Sequence, residues 1–206
     1  MPQIPKQEFE RLQLRVHDLL AGVPLHDAWA VNLPHVRSGI TLDEFLRAAS
    51  ARPYTASGSA HALLKFRLLI GRLFGWDREP AASAEELFAN RLTSADSSKS
   101  LVQAGTREGP FSVVYRFENE QLLELINRTA HAAAVSALVE SPDCYRFYFA
   151  VYVRRVSWFT PVYMALIDPF RKLIVYPSLL RSVRRKWDQI FGTVAMSVSR
   201  RNSTSN

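Results

Sequence analysis

Cysteine is nearly absent from this 206-residue chain: Cys144 stands alone, so no internal disulfide can form. Glycine is scarce, with eight residues in all, and no G-x-G-x-x-G, Walker-type or G-x-S-x-G pattern occurs. That removes the usual phosphate-cradling loops and the strained serine turn of hydrolases. Five histidines (His17, His26, His35, His61 and His131) include no i, i+4 pair, and no cysteine pair accompanies them. No zinc pattern is therefore present, and the expectation is no metal and no cofactor. Long apolar runs are missing too. The stretch 159–180 is broken by Asp168, Arg171 and Lys172, and the opening MPQIPKQEFERLQLRV is too polar for a secretory signal. A soluble, cytoplasmic protein is expected, with peripheral attachment to the inner membrane as the variant.

Acidic residues are scarce at one end only. Residues 154–206 carry ten Lys/Arg against Asp168 and Asp188, whereas the preceding residues carry 16 against 17. The whole basic excess therefore sits in the last quarter. It reads either as a solvated helix face with a basic tail or as a contact for an anionic surface. Composition is otherwise globular, 48% hydrophobic and 22% charged, and the length suits one domain.

The pattern along the chain reads as α+β. Residues 8–20 suit a short amphipathic helix, 26–34 a strand ending at Pro34, and Thr41 with Glu44 a capping box opening a helix. Residues 51–60 form a small-residue connector to an all-round apolar helix over 61–76. Ser83 with Glu86 then suits a short capped helix, and 96–99 a loop. From residue 100 strands are expected: 100–106, 111–118, 122–139 and 145–153, in antiparallel succession. The middle one is alanine-rich, with helix as its alternative, and its parity requires either an odd-length first loop or a bulge near 127–129, of which the bulge is expected. Residues 159–191 read as a helix broken at its prolines. Tyr176, Leu179, Leu180, Val183, Trp187, Ile190 and Phe191 fall within an arc of about 120° on it. The divisions expected are a helical lead-in over 1–24, one domain over 25–192, and a disordered basic tail over 193–206.

The segments DAWAVNLPHVRSGITLDEFL (27–46), FENEQLLELINRTAH (117–131) and YMALIDPFRKLIVYPSLLR (163–181) resemble a bacterial family of unknown function, domain of unknown function 2867. The resemblance covers most of residues 25–190. It implies the helix-grip architecture of SRPBCC and START-like domains: a curved antiparallel sheet gripping a long C-terminal helix, with helices inserted after the first strand. Some relatives join this domain to a nucleotide-binding, dehydrogenase-like one. The resemblance carries over no catalytic residues.

The leading functional expectation is a non-catalytic module that binds a hydrophobic or amphipathic small molecule between sheet and C-terminal helix. Tyr115, Phe147 and Phe149 would line the cavity, with Asn127, Thr129 and His131 as polar anchors. For His131 the competing reading is a buried histidine satisfied by a neighbour. Glu118, Glu120 and Glu124 read as solvated charge beside a turn. The aromatic strand Tyr145, Phe147, Tyr148, Phe149 and Tyr152, interleaved with Arg146, Arg154 and Arg155, could stack single-stranded nucleic acid, but core packing explains it and no nucleic-acid partner is expected. Two alternatives stay open. One is a cyclase- or hydrolase-type enzyme of the same superfamily. The other is a peripheral membrane or interaction protein using Arg181, Arg184, Arg185 and Lys186 on the last helix.

Overall fold

The computed structural model describes residues 3–51, 87–126, 131–155 and 160–192. The expected helix over 61–76, the cap at Ser83 and Glu86, and the tail from 193 lie outside them, as do Asn127 and Thr129.

Alternating apolar and polar residues build six strands: β1 Leu25–Pro34, β2 Arg107–Glu108, β3 Phe111–Arg116, β4 Glu120–Ile126, β5 His131–Glu140 and β6 Cys144–Arg154. They form one curved antiparallel sheet in the order β1-β6-β5-β4-β3-β2, so the first strand closes against the last. With the long C-terminal helix this is the expected α+β, helix-grip arrangement.

Two strand expectations need correction. Residues 122–139 are not one bulged strand: β4 and β5 are a hairpin, pairing from Glu120 with Ala137 to Ile126 with His131. The reversal resolves the parity conflict, because each arm of a hairpin keeps its own phase. Residues 100–106 are turns rather than a strand, with Gly105 at φ +86°, a left-handed conformation that glycine adopts without steric cost.

Both faces of the sheet are covered. The face bearing Ala28, Ala30, Tyr115, Leu122, Ala133, Val135, Tyr148, Ala150 and Tyr152 packs under the N-terminal helices α1 Lys6–Glu10 and α2 Arg15–Leu19, and under a 3₁₀ turn at Phe88–Arg91. The expected single helix over 8–20 is thus two short ones. Glu120 explains the second start, since its carboxylate accepts the N–H groups of Arg15 at 2.8 Å and Val16 at 2.9 Å. The expected loop at 96–99 belongs to helix α4, Ser94–Lys99, opened by a capping box between Thr93 and Asp96. Aspartate serves there in the place where glutamate is usual.

The opposite face carries Trp29, Val31, Leu33, Tyr145, Phe147, Val151 and Val153. It is covered by α3, Leu42–Ala51, and by a helical rod made of α5 Thr160–Phe170, a π-helical turn Arg171–Val175, α6 Tyr176–Trp187 and a second π turn to Gly192. The expected apolar arc holds: Tyr176, Leu180, Val183, Trp187 and Phe191 are buried against the sheet. Trp187 is fully buried and also donates from Nε1 to the Pro34 carbonyl at 3.1 Å. Thr41 Oγ1 accepts from the Glu44 N–H, as a helix cap requires.

Candidate functional site

Two irregular backbones meet at one end of the rod. In β1 the register shifts between Leu25 and Asp27, leaving His26 as the extra residue of a bulge. Leu25 faces the N-terminal helices, while Asp27 shares the rod face with Trp29, Val31 and Leu33. The bulge lets His26 turn to the same side as Asp27, which regular alternation forbids. Opposite them the rod changes from α- to π-helix directly after Asp168-Pro169-Phe170, an interruption often found at functional positions.

The facing side chains form one network. His26 Nε2 donates to both Asp168 oxygens at 2.9 Å. Arg171 Nη1 donates to Asp168 Oδ1 at 3.1 Å, and Lys172 Nζ stands 3.4 Å from Oδ2. The other arm of Arg171 donates to the Tyr176 hydroxyl and lies 3.9 Å from Asp27 Oδ2. The Tyr176 ring is 5.3 Å from Trp29 and 5.5 Å from Phe149. Met164, also buried, stands 3.9 Å from Arg171 Nη1.

Asp27 is the anomaly. It is fully buried, and neither carboxylate oxygen has a hydrogen-bond partner among the described residues. The Trp29 indole N–H, two residues along the strand, is likewise buried and has no partner among the described residues. Burial pushes the Asp27 carboxyl above the ordinary carboxylate range, and the charges of Arg171 and His26 only partly offset this. Asp168 goes the other way. Burial alone would raise it, but the hydrogen bond and charge of His26, with Arg171 and Lys172, hold it below its usual value. Burial also raises the Tyr176 phenol.

His26 Nε2 and oxygens of Asp27 and Asp168 lie within 4.8 Å of one another, a spacing that three ligands of one ion can have. Arg171 and Lys172 already occupy the Asp168 carboxylate, so an ion held there would have to displace a cation.

The residues singled out from the sequence are divided by the sheet. Tyr115 and His131 face the N-terminal helices, whereas Phe147 and Phe149 face the rod. No single cavity between sheet and C-terminal helix takes all four. His131 is 2% exposed, bonded through Nε2 to Glu124 Oε1 at 2.6 Å and stacked 3.9 Å from Phe88. Glu124 also accepts the Phe88 N–H at 2.7 Å, and Glu120 accepts from the Tyr115 hydroxyl. Glu120 and Glu124 are buried, which corrects their reading as solvated charge. Glu120 thereby clamps the start of α2, and Glu124 ties the 3₁₀ turn at Phe88 to β5 through His131. The basic stripe of the last helix is also partly spent. Arg184 donates to the Asn32 carbonyl at 3.1 Å and Lys186 to the Ala49 carbonyl at 2.9 Å.

Sequence reasoning passed over His26, Asp27, Asp168 and Arg171, although one signal was present. Asp27 keeps the parity of Trp29, Val31 and Leu33, so a carboxylate stands where the strand buries its side chains.

Neither a curated protein nor a solved structure matches this chain. A family model does, over residues 19–178, a span that contains His26, Asp27, Asp168, Arg171, Lys172 and Tyr176. The chain belongs to the family described as "Protein of unknown function (DUF2867)".

Proposed function

We propose that this chain is a START-like binding module. It takes an amphipathic small molecule at the seam between β1, β6 and the C-terminal rod, with Asp27 accepting a hydrogen bond from a hydroxyl or amide of the ligand. The supporting observation is Asp27 itself: a buried carboxylate with two unbonded oxygens is costly to keep without a partner. A neutral donor suits it better than an ammonium, because Arg171 and Lys172 already offset the charges of Asp27 and Asp168. The Trp29 N–H would take the oxygen of the same polar group, while Phe149, Tyr176 and Met164 would meet the apolar body.

Native mass spectrometry of the protein purified from its expression host, followed by organic extraction, tests this reading. The expected result is a stoichiometric adduct bearing a hydroxyl or amide, depleted in Asp27→Asn. Equal occupancy in that variant would remove Asp27 from the site.

One observation favours a second reading, an enzyme of the cyclase or hydrolase kind. His26, oriented by Asp168, stands 3.8 Å from an aspartate whose proton burial favours, which sets two titratable side chains next to each other. A wild-type chain that carries no adduct but turns over an extracted lipid or isoprenoid pool, with Asp27→Asn inactive, would select it.

A further inference from the structure

The rod also carries an unpaid debt to solvent. Leu173, Ile174 and Val175 are 75%, 42% and 40% exposed, and Phe170 is 47% exposed. Successive residues of a helix point about 100° apart, and somewhat less in a π turn, so three exposed in a row spread apolar surface over about half of the circumference. The π turn Arg171–Val175 buries none of its five residues. Four of the five large exposed apolar residues among those described lie within these six positions. That clustering marks an interaction surface rather than scattered exposure.

The patch continues into charge. Arg181 and Arg185 follow Ile174 by seven and eleven residues, spacings that return to one helix face, and both are exposed. Among the described residues, Arg181 Nε bonds only the Pro177 carbonyl of its own helix, and no carboxylate pairs with Arg181 or Arg185. The face therefore runs from an apolar end at Phe170 and Ile174 to a basic end at Arg185. Charge decides what meets it. Beyond Asp168 the chain has a single acid, Asp188, so a second copy meeting this face with its own would bring like charge to like. Nucleic acid would satisfy the arginines and leave the apolar end in water.

We infer that this face docks on an anionic lipid bilayer. Leu173, Ile174 and Val175 enter the boundary between headgroups and acyl chains, and Arg181 and Arg185 lie along the headgroups. Insertion is interfacial, since no helix among the described residues is long and apolar enough to cross a membrane. The contact would set the seam at Asp27 and Arg171 close to the lipid surface, but it does not depend on that seam binding anything.

Flotation of the full chain with vesicles tests the inference, comparing pure phosphatidylcholine with mixtures containing phosphatidylglycerol. Binding to the anionic vesicles that weakens with salt is expected, with little binding to the neutral ones. Removing both charges in Arg181→Gln/Arg185→Gln should weaken binding by about twenty-five-fold, at about fivefold for each arginine lost near an anionic surface. Leu173→Glu/Ile174→Glu should abolish flotation, and because both positions are exposed its circular dichroism should match wild type. No flotation with anionic vesicles at low salt, or wild-type flotation by the folded Leu173→Glu/Ile174→Glu protein, would overturn the inference.

Discussion

His26 Nε2 donates to both carboxylate oxygens of Asp168 at 2.9 Å, tying the bulge of β1 to the end of α5 across 142 residues of chain. Both side chains are partly exposed, so the contribution is set by a discounted charged hydrogen bond, about 1 kcal/mol. Asp168→Asn should lower Tm by about 2–4 °C near pH 7. The folded pKa of Asp168 lies below its unfolded value, so its contribution is complete above that unfolded value, about 4, and is lost as pH falls through the folded one. The deficit of Asp168→Asn in urea unfolding should accordingly shrink at low pH. A deficit independent of pH would assign it to packing instead.

Asp27 carries the opposite sign. Its folded pKa is raised by burial, so the ionised carboxylate costs stability increasingly as pH climbs from the unfolded value through the folded one. Asp27→Asn should stabilise the free protein by about 1 kcal/mol at neutral pH, while weakening ligand capture. The gain should disappear at low pH, where wild-type Asp27 is neutral as well. A destabilised Asp27→Asn protein would mean that the charge of Asp27 holds Arg171 in place.

The same cluster makes a prediction about metals. An ion held by His26, Asp27 and Asp168 must compete with Arg171 at 3.1 Å and Lys172 at 3.4 Å from Asp168. Added zinc is expected to leave Tm unchanged, since only binding to the folded form raises it. A zinc-dependent rise that His26→Ala removes would reassign the cluster as a metal centre.

What could be read from sequence follows from the range of each interaction. The apolar arc from Tyr176 to Phe191 and the period-two aromatics of β6 are local patterns, and the fold keeps both. Alternation shows that a strand has two faces but not which of them is covered. Alternation therefore groups Tyr115 and His131 with Phe147 and Phe149, although the sheet separates them. The 122–139 segment misled for a related reason: alanines suit helix, edge or centre alike, and only pairing on both sides identifies β5 as an inner strand. The pairing of His26 with Asp168 has no local signature. Buried Glu124 looks in sequence like any solvated glutamate beside a turn.

Glu124 supplies the last prediction, because it separates the two faces of the sheet by role. Its Oε1 accepts from both the Phe88 N–H and His131 Nε2 in a site that excludes water. Glu124→Ala would orphan a backbone donor and a histidine donor together. A loss of about 3 kcal/mol is expected, or about 6–12 °C in Tm. Glu124→Gln keeps one acceptor oxygen, which cannot serve both donors as well as a carboxylate does, so it should lie between Ala and wild type. Neither variant touches the rod face, so adduct occupancy in native mass spectra should equal wild type wherever the protein remains folded. Loss of the adduct in a folded Glu124→Gln protein would place the ligand on the Tyr115 and His131 side of the sheet and remove Asp27 from its recognition.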